Sequence, residues 1–433
     1  MPMTMEQTIT QPTSAGPFHV ARCLRKALCF VDPAQKRRLS KTSPEEVVSY
    51  ILKGEATDNS LQELRLLKSQ SAAAGNVGLY RTWRLRQMLE SPHPFREMMT
   101  LFWLDLFAIS ALRIKDLPCY HAFCEGLEER ALAPWGEVLG YVLQQPAFLA
   151  NLRAERNYRA MPNRQLGEFI VKYLMGREPT QTQEAVTAVA RSFTGLFVRG
   201  GELRRYEYEH DPAIKVIGRA SGDFWPKDVA KLLAEDTDTA AVLADRLYRW
   251  FIASDGDIPP NFRDSVAKRI LAGSAMGDVT VEAIATWAGR GNTLARRIKS
   301  PLEVFLALAR PFKGRATTAL ADLVAELGWD LLHPTTYGGW PKGRDWMNTA
   351  QWARRISLAE GLLRKEDRFG GGVDLMAAAK SADYGDDWPN FLLDALLDDG
   401  LPPELRPAWE RHLQRGPGEA LLFLVALPEF QLS

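Results

Sequence analysis

Apolar residues recurring every three or four positions, in one stretch after another, constrain this chain more than any other feature. From Leu166 they fall at Leu166, Phe169, Ile170, Tyr173 and Leu174, the stripe that one face of an α-helix presents to a core. Pro162-Asn163 offers an N-cap before that stripe and Gly176 a left-handed stop after it. Leu320, Leu323, Val324, Leu327 and Leu331 repeat the pattern up to His333-Pro334. Asn348 opens another helix, with Gln351 three residues on as in a capping box and Trp352, Ile356, Ala359 and Leu363 on one face. Met98 to Leu112 is apolar almost all round, which marks a helix at the centre of the fold. Strand signals are confined to Glu207–Ile217, so any β-ribbon is short and near residues 205–218, and no strands alternate with helices as a parallel sheet requires. The expected class is all-α: a flexible segment at 1–17, a main helical domain at 18–380, and a helical segment at 381–433 packed on it.

Composition narrows the function classes. The 433 residues carry 54 Lys+Arg against 53 Asp+Glu, a net charge of +1, where a general nucleic-acid binder is basic. No apolar run approaches the roughly 18 residues of a membrane span. Neither nucleic-acid binding nor membrane insertion is expected. Met1–Pro17 is polar, without a basic start and apolar core, so the chain as written reads as cytoplasmic, or as periplasmic or envelope-bound if a leader has been removed. The cysteines are Cys23, Cys29, Cys119 and Cys124, too few for a disulfide scaffold. Cys119 and Cys124, with His121 between, lack the tight spacing of a zinc knuckle; neither a metal nor a cofactor is expected.

One loop stands out between its helices: Gly338-Gly339-Trp340-Pro341-Lys342-Gly343-Arg344-Asp345-Trp346-Met347-Asn348. Large rings need rigid pockets, so this loop must fold tightly against something. As a ligand site it offers Trp340, Lys342, Arg344, Trp346 and Asn348: glycines for close approach, two cations, and the start of a helix to hold an anion. The plainer reading makes the tryptophans core plugs and leaves Lys342 and Arg344 solvated. His210-Asp211 with Lys215 is the best polar constellation, a carboxylate that would orient an imidazole base and an ammonium that would stabilise an anion. Its plainer reading is a turn, with Asp211 before Pro212 binding local amides. Glu168 faces away from its helix's apolar stripe, at the spacing of an ion pair with Lys172. The basic runs Lys36-Arg37-Arg38 and Arg296-Arg297-x-Lys299 read as solvated helix faces.

Several short motifs, in order, resemble a bacterial family known as domain of unknown function eighteen hundred. They are Phe102-Trp103, Pro162-Asn163 with Glu168, Thr194-Gly195, His210-Asp211 with Lys215, Lys299-Ser300-Pro301-Leu302-Glu303, Gly339-Trp340-Pro341 with Trp346 and Asn348, and Pro428-Glu429-Phe430. The resemblance implies a largely helical protein. It also implies that many members carry export signals, and a possible protein partner, since their genes often neighbour a sulfatase-like family. Where such members read Phe-Trp-His-Asn-His-Phe, this chain reads Phe102-Trp103-Leu104-Asp105-Leu106-Phe107, so both histidines are leucine. The lost histidines and the tryptophan loop point to a non-catalytic binding or accessory protein for a protein partner or cell-envelope component. The alternative is a hydrolase or lyase acting on a polysaccharide or other anionic polymer, with Glu168, His210, Asp211 and Lys215 around one cavity and Arg344 on the anion. Whether Glu168, His210 and Trp340 converge on one pocket or lie on three unrelated surfaces separates the two.

Overall fold

The structure, a computed structural model, describes residues 18–54, 61–289, 296–364, 370 and 373–433; the expected flexible segment at 1–17 lies outside them. The protein is 63% helical, and its strands among the described residues form two small two-stranded ribbons, so it is an all-α protein with short β-ribbons. One hydrophobic cluster runs from Val20 to Phe430.

The Pro94–Leu106 helix lies at the centre, with every residue buried except Arg96. Burial on all sides demands apolar residues all round, which is the pattern in its sequence. Trp103 stacks on Trp135 at 5.5 Å and donates its indole N–H to the Ala131 carbonyl, while Phe102 meets Trp250 at 5.8 Å. The helix stops earlier than its apolar run. Ala108 takes φ +49° and the Ile109 N–H turns back to the Leu104 carbonyl, so Leu112, in a separate short helix, is exposed.

The Arg164–Phe169 helix continues into a π-turn over Ile170–Leu174, and together they bury Leu166, Phe169, Ile170 and Leu174. The Asn163 side chain caps it by accepting from the Leu166 N–H at 2.9 Å, and Gly176 ends it at φ +65°. In the Thr349–Leu363 helix the Asn348 cap also forms, but the rest of the box does not, because the Gln351 amide donates to the Leu327 carbonyl instead. The buried stripe there is Arg355, Leu358, Ala359 and Leu362, not the face through Trp352, which is exposed. Arg355 displaces the expected apolar face because it reaches inward to the Gln431 side chain at 2.7 Å and the Lys299 carbonyl at 2.8 Å.

Residues 297–299 are no solvated helix face. They run antiparallel to residues 431–433 at an isolated bridge, with Ile298 opposite Leu432, the Arg297 N–H on the Ser433 carbonyl at 2.8 Å and the Lys299 N–H on the Gln431 carbonyl at 2.9 Å. Lys299 is fully buried, its ammonium donating to the Phe430 carbonyl and lying 4.3 Å from the Phe430 ring centroid. Burial drives its pKa well below the usual lysine value. The run at Lys36-Arg37-Arg38 stays nearer the surface, where Lys36 pairs with Asp394 at 2.7 Å and Arg37 lies over Tyr384.

One ribbon precedes the stretch where strand was expected and the other overlaps its end. Strands β1 (Leu196–Arg199) and β2 (Glu202–Arg205) pair antiparallel with Leu196 opposite Arg205; β3 (Lys215–Ile217) and β4 (Ala220–Gly222) pair with Lys215 opposite Gly222. Glu207–Glu209 between them is a single 3-10 turn.

Candidate functional site

The ribbons meet at a knot around His210. Gly195, at φ +83°, brings the chain so close to the 206–210 turn that an added Cβ would stand 2.8 Å from the Tyr206 carbonyl oxygen, so only glycine fits without strain. The preceding Thr194 carbonyl takes His210 Nδ1 at 3.0 Å, and its hydroxyl accepts the Asp211 N–H at 2.9 Å. His210 Nε2 lies 2.8 Å from Asp223 Oδ1, and the imidazole stacks on Trp225 with centroids 3.7 Å apart. The Arg205 guanidinium carbon, 3.8 Å from the same ring centroid, covers the other face. Lys215, fully buried, donates to the Asp211 carbonyl at 2.6 Å and to Asp223.

This arrangement corrects the assignment made from adjacency. The carboxylate on the imidazole is Asp223, not Asp211. Asp211 instead binds Arg191 Nε at 2.5 Å and accepts the Ala213 N–H at 3.0 Å, as its place before Pro212 suggests. The Arg191 bond holds the Asp211 carboxyl down at about 2 against the opposing effect of burial. Burial also raises Asp223, but Lys215 and then His210, bonded to it, outweigh that and leave its pKa below the ordinary carboxylate value. His210 is buried with both ring nitrogens engaged.

Glu168 forms an exposed ion pair, but with Arg164 at 2.7 Å, four residues before it, and not with Lys172. The hydrogen-bond, ion-pair and ring partners of Glu168, His210 and Trp340 have no residue in common. The structure brings His210, Asp211 and Lys215 together and leaves Glu168 apart from them.

The tryptophan loop folds onto the central helix. Asp105, the lone charge in the buried part of Phe102–Phe107, is 3% exposed and accepts the Trp340 N–H at 2.7 Å and the Lys342 ammonium at 2.6 Å. Gly339 permits this approach: at φ +100°, a Cβ there would fall 2.0 Å from Asp105 Oδ1. Trp340 stacks on Trp329 at 4.9 Å and 8° and donates its indole N–H to the Asp330 carbonyl at 2.8 Å; Trp346 meets Trp329 at 5.7 Å. Both loop tryptophans are buried plugs. Lys342 is not simply solvated, since it pairs with a buried carboxylate, whereas Arg344 is exposed and Asn348 is used as the cap of its own helix. Beneath the loop runs a narrow cleft lined by Trp250, Trp329, Trp346, Arg249, Arg297 and Lys342, among others; Arg344 and Asn348 are not part of it.

The paired motifs make one scaffold: Thr194-Gly195 holds His210-Asp211, the Phe102-Trp103 helix holds Gly339-Trp340, and Lys299 holds Phe430. A family sequence model described as protein of unknown function (DUF1800) matches residues 22–432, nearly the whole chain. The chain belongs to the DUF1800 family. No curated protein and no solved structure matches it. In this DUF1800 protein Leu104 and Leu106 are buried in the core, so the helix positions where the family resemblance implies histidines carry no polar centre here.

Among the described residues no group of three His, Cys, Asp or Glu side chains is placed to hold a metal ion. Burial raises the Cys119 thiol to about 11 and the Cys124 thiol to about 12, so both stay protonated at neutral pH. His121 Nδ1 lies 3.1 Å from the Tyr80 hydroxyl. No described helix is long and apolar enough to cross a membrane.

Asp223, Trp225, Asp105 and Trp329 were missed as site residues. Asp105 had a signal, a charge inside an otherwise apolar helix. Asp223 and Trp225 had none, because only the fold of the second ribbon returns them to His210.

Proposed function

We propose that this DUF1800 protein is a non-catalytic binding protein that docks a protein partner or a cell-envelope component. The observation that carries this reading is the apolar surface on the segment bearing the ribbons. Met161 is 70% exposed, Tyr208 75%, Ile214 70% and Val216 59%, large apolar side chains concentrated in one stretch of the chain. A ring series, Tyr158–Phe197 at 5.0 Å, Phe197–Tyr206 at 5.2 Å and Tyr206–Tyr208 at 5.8 Å, connects the exposed Tyr158 with Tyr208. The His210 knot, with its polar groups bonded to one another, serves this reading as the clasp that holds the surface in shape.

Two measurements test it. A photo-crosslinking residue at position 208 or 214 should yield a discrete adduct in the native host, one that Val216→Ser weakens and that the same residue at exposed Leu66 does not give. The purified chain should leave anionic polysaccharides at their original length. Shortening of such a polymer by the parent, abolished in His210→Ala, would replace this reading with the hydrolase or lyase alternative.

A further inference from the structure

The cleft beneath the tryptophan loop contains an unmet chemical demand of one sign. Four nitrogens of its lining residues have neither a hydrogen-bond acceptor nor solvent: Trp250 Nε1, Trp329 Nε1, Arg249 Nη1 and Arg297 Nε. Three of the four residues are more than nine-tenths buried, with Trp250 at 8%, Trp329 at 5% and Arg297 at 9% exposure. Indole and guanidinium N–H groups only donate. Folded proteins leave few such groups bare, and four in one lining, all donors, call for a partner that only accepts.

Charge agrees with polarity. Arg249, Arg297 and Lys342 line the cleft, and Glu303 is the carboxylate among them. Its oxygens are already taken, Oε2 by the Ser300 N–H at 2.8 Å and Oε1 by Arg297 Nη2. Asp105 balances Lys342 from behind the loop. The free space is about 40 Å³, against the roughly 10–15 Å³ that one water needs. That admits a group presenting three or so oxygens and excludes a bulky ligand.

We propose that this cleft binds a small tetrahedral oxyanion, as free sulfate or phosphate or as the end group of a sulfate or phosphate ester. Such a group offers several acceptor oxygens at once, where a single water accepts only two hydrogen bonds. The four nitrogens have almost no contact with solvent, so their side chains shift on binding, and Lys342, 37% exposed, is the lining cation freest to move.

The test uses the full chain and inorganic sulfate or phosphate at up to about 10 mM, below the range where salt exclusion stabilises proteins in general, with sodium chloride holding ionic strength constant. One of the two oxyanions should raise the melting temperature saturably, by on the order of 3 °C near a hundredfold excess over Kd, while chloride and acetate do nothing. Methyl sulfate and methyl phosphate then separate an ester end group from the free ion. Arg249→Gln should abolish the shift, and Trp250→Phe, which keeps an aromatic ring and removes one donor, should weaken binding at least fivefold in equilibrium dialysis with labelled sulfate or phosphate. No saturable response to either oxyanion overturns the proposal, as does a response unchanged in both variants.

Discussion

The His210 knot and the cleft under the tryptophan loop are built from the same materials, tryptophan against cations and carboxylates, and differ in how their polar atoms are used. In the knot, His210 spends both nitrogens on Thr194 and Asp223, Lys215 donates to Asp211 and Asp223, and Asp211 is taken by Arg191. In the cleft, Trp250, Trp329, Arg249 and Arg297 each keep a donor idle. A saturated network holds a structure and has little left for a ligand; an unsaturated one of a single polarity is destabilised until something fills it. Resemblance to a catalytic set is therefore a poorer guide to binding here than the count of unspent donors.

The sharpest way to break this comparison is Trp340→Ala. It removes a ring 2% exposed and stacked on Trp329, and truncating a buried tryptophan costs about 3–5 kcal/mol. Chemical denaturation should show that loss, and a variant as stable as the parent would mean the loop is not a plug. Next comes Lys342→Ala, which leaves the Asp105 carboxylate buried beside the loop without its cation. Because Lys342 is more than a third exposed, the cost should fall to about 1–2 kcal/mol rather than the larger value of a fully buried pair. Arg344→Ala, on the exposed side of the same loop, should stay within about 0.5 kcal/mol of the parent. Equal effects from the two would remove Asp105 from the account.

The smallest effect is on the knot and depends on pH. The Asp211 carboxyl is lowered from 3.8 to about 2, so its charged form is favoured in the folded state. Its contribution is complete above the unfolded value and declines as pH falls from about 4 through 2. Melting temperatures between pH 5 and 2 should fall less steeply for Asp211→Asn than for the parent. Parallel curves would show that Arg191 does not hold this carboxylate.

Helical periodicity determined the fold class, because a helix must hide one face and the spacing of apolar residues records which one. It placed the 164–174 segment and the buried central helix, and the caps at Asn163 and Asn348 followed from side chains that bond amides three residues away. The stripe read from Leu320 to Leu331 is helical only over Thr318–Glu326, because Gly328 at φ +96° ends it and leaves Leu331 beyond. The tryptophan loop announced itself as packed. What a local pattern cannot carry is a partner from a distant part of the chain. Arg355 buried on the Lys299 carbonyl, Lys342 on Asp105 and Asp223 on His210 read in sequence as ordinary surface charges. Each partnership exists only because the folded chain supplies an acceptor, a carboxylate or an imidazole at that point. The idle donors of the cleft belong to the same class: Arg249, Trp250, Arg297 and Trp329 span some eighty positions of sequence, and only tertiary packing both gathers them and withholds their acceptor.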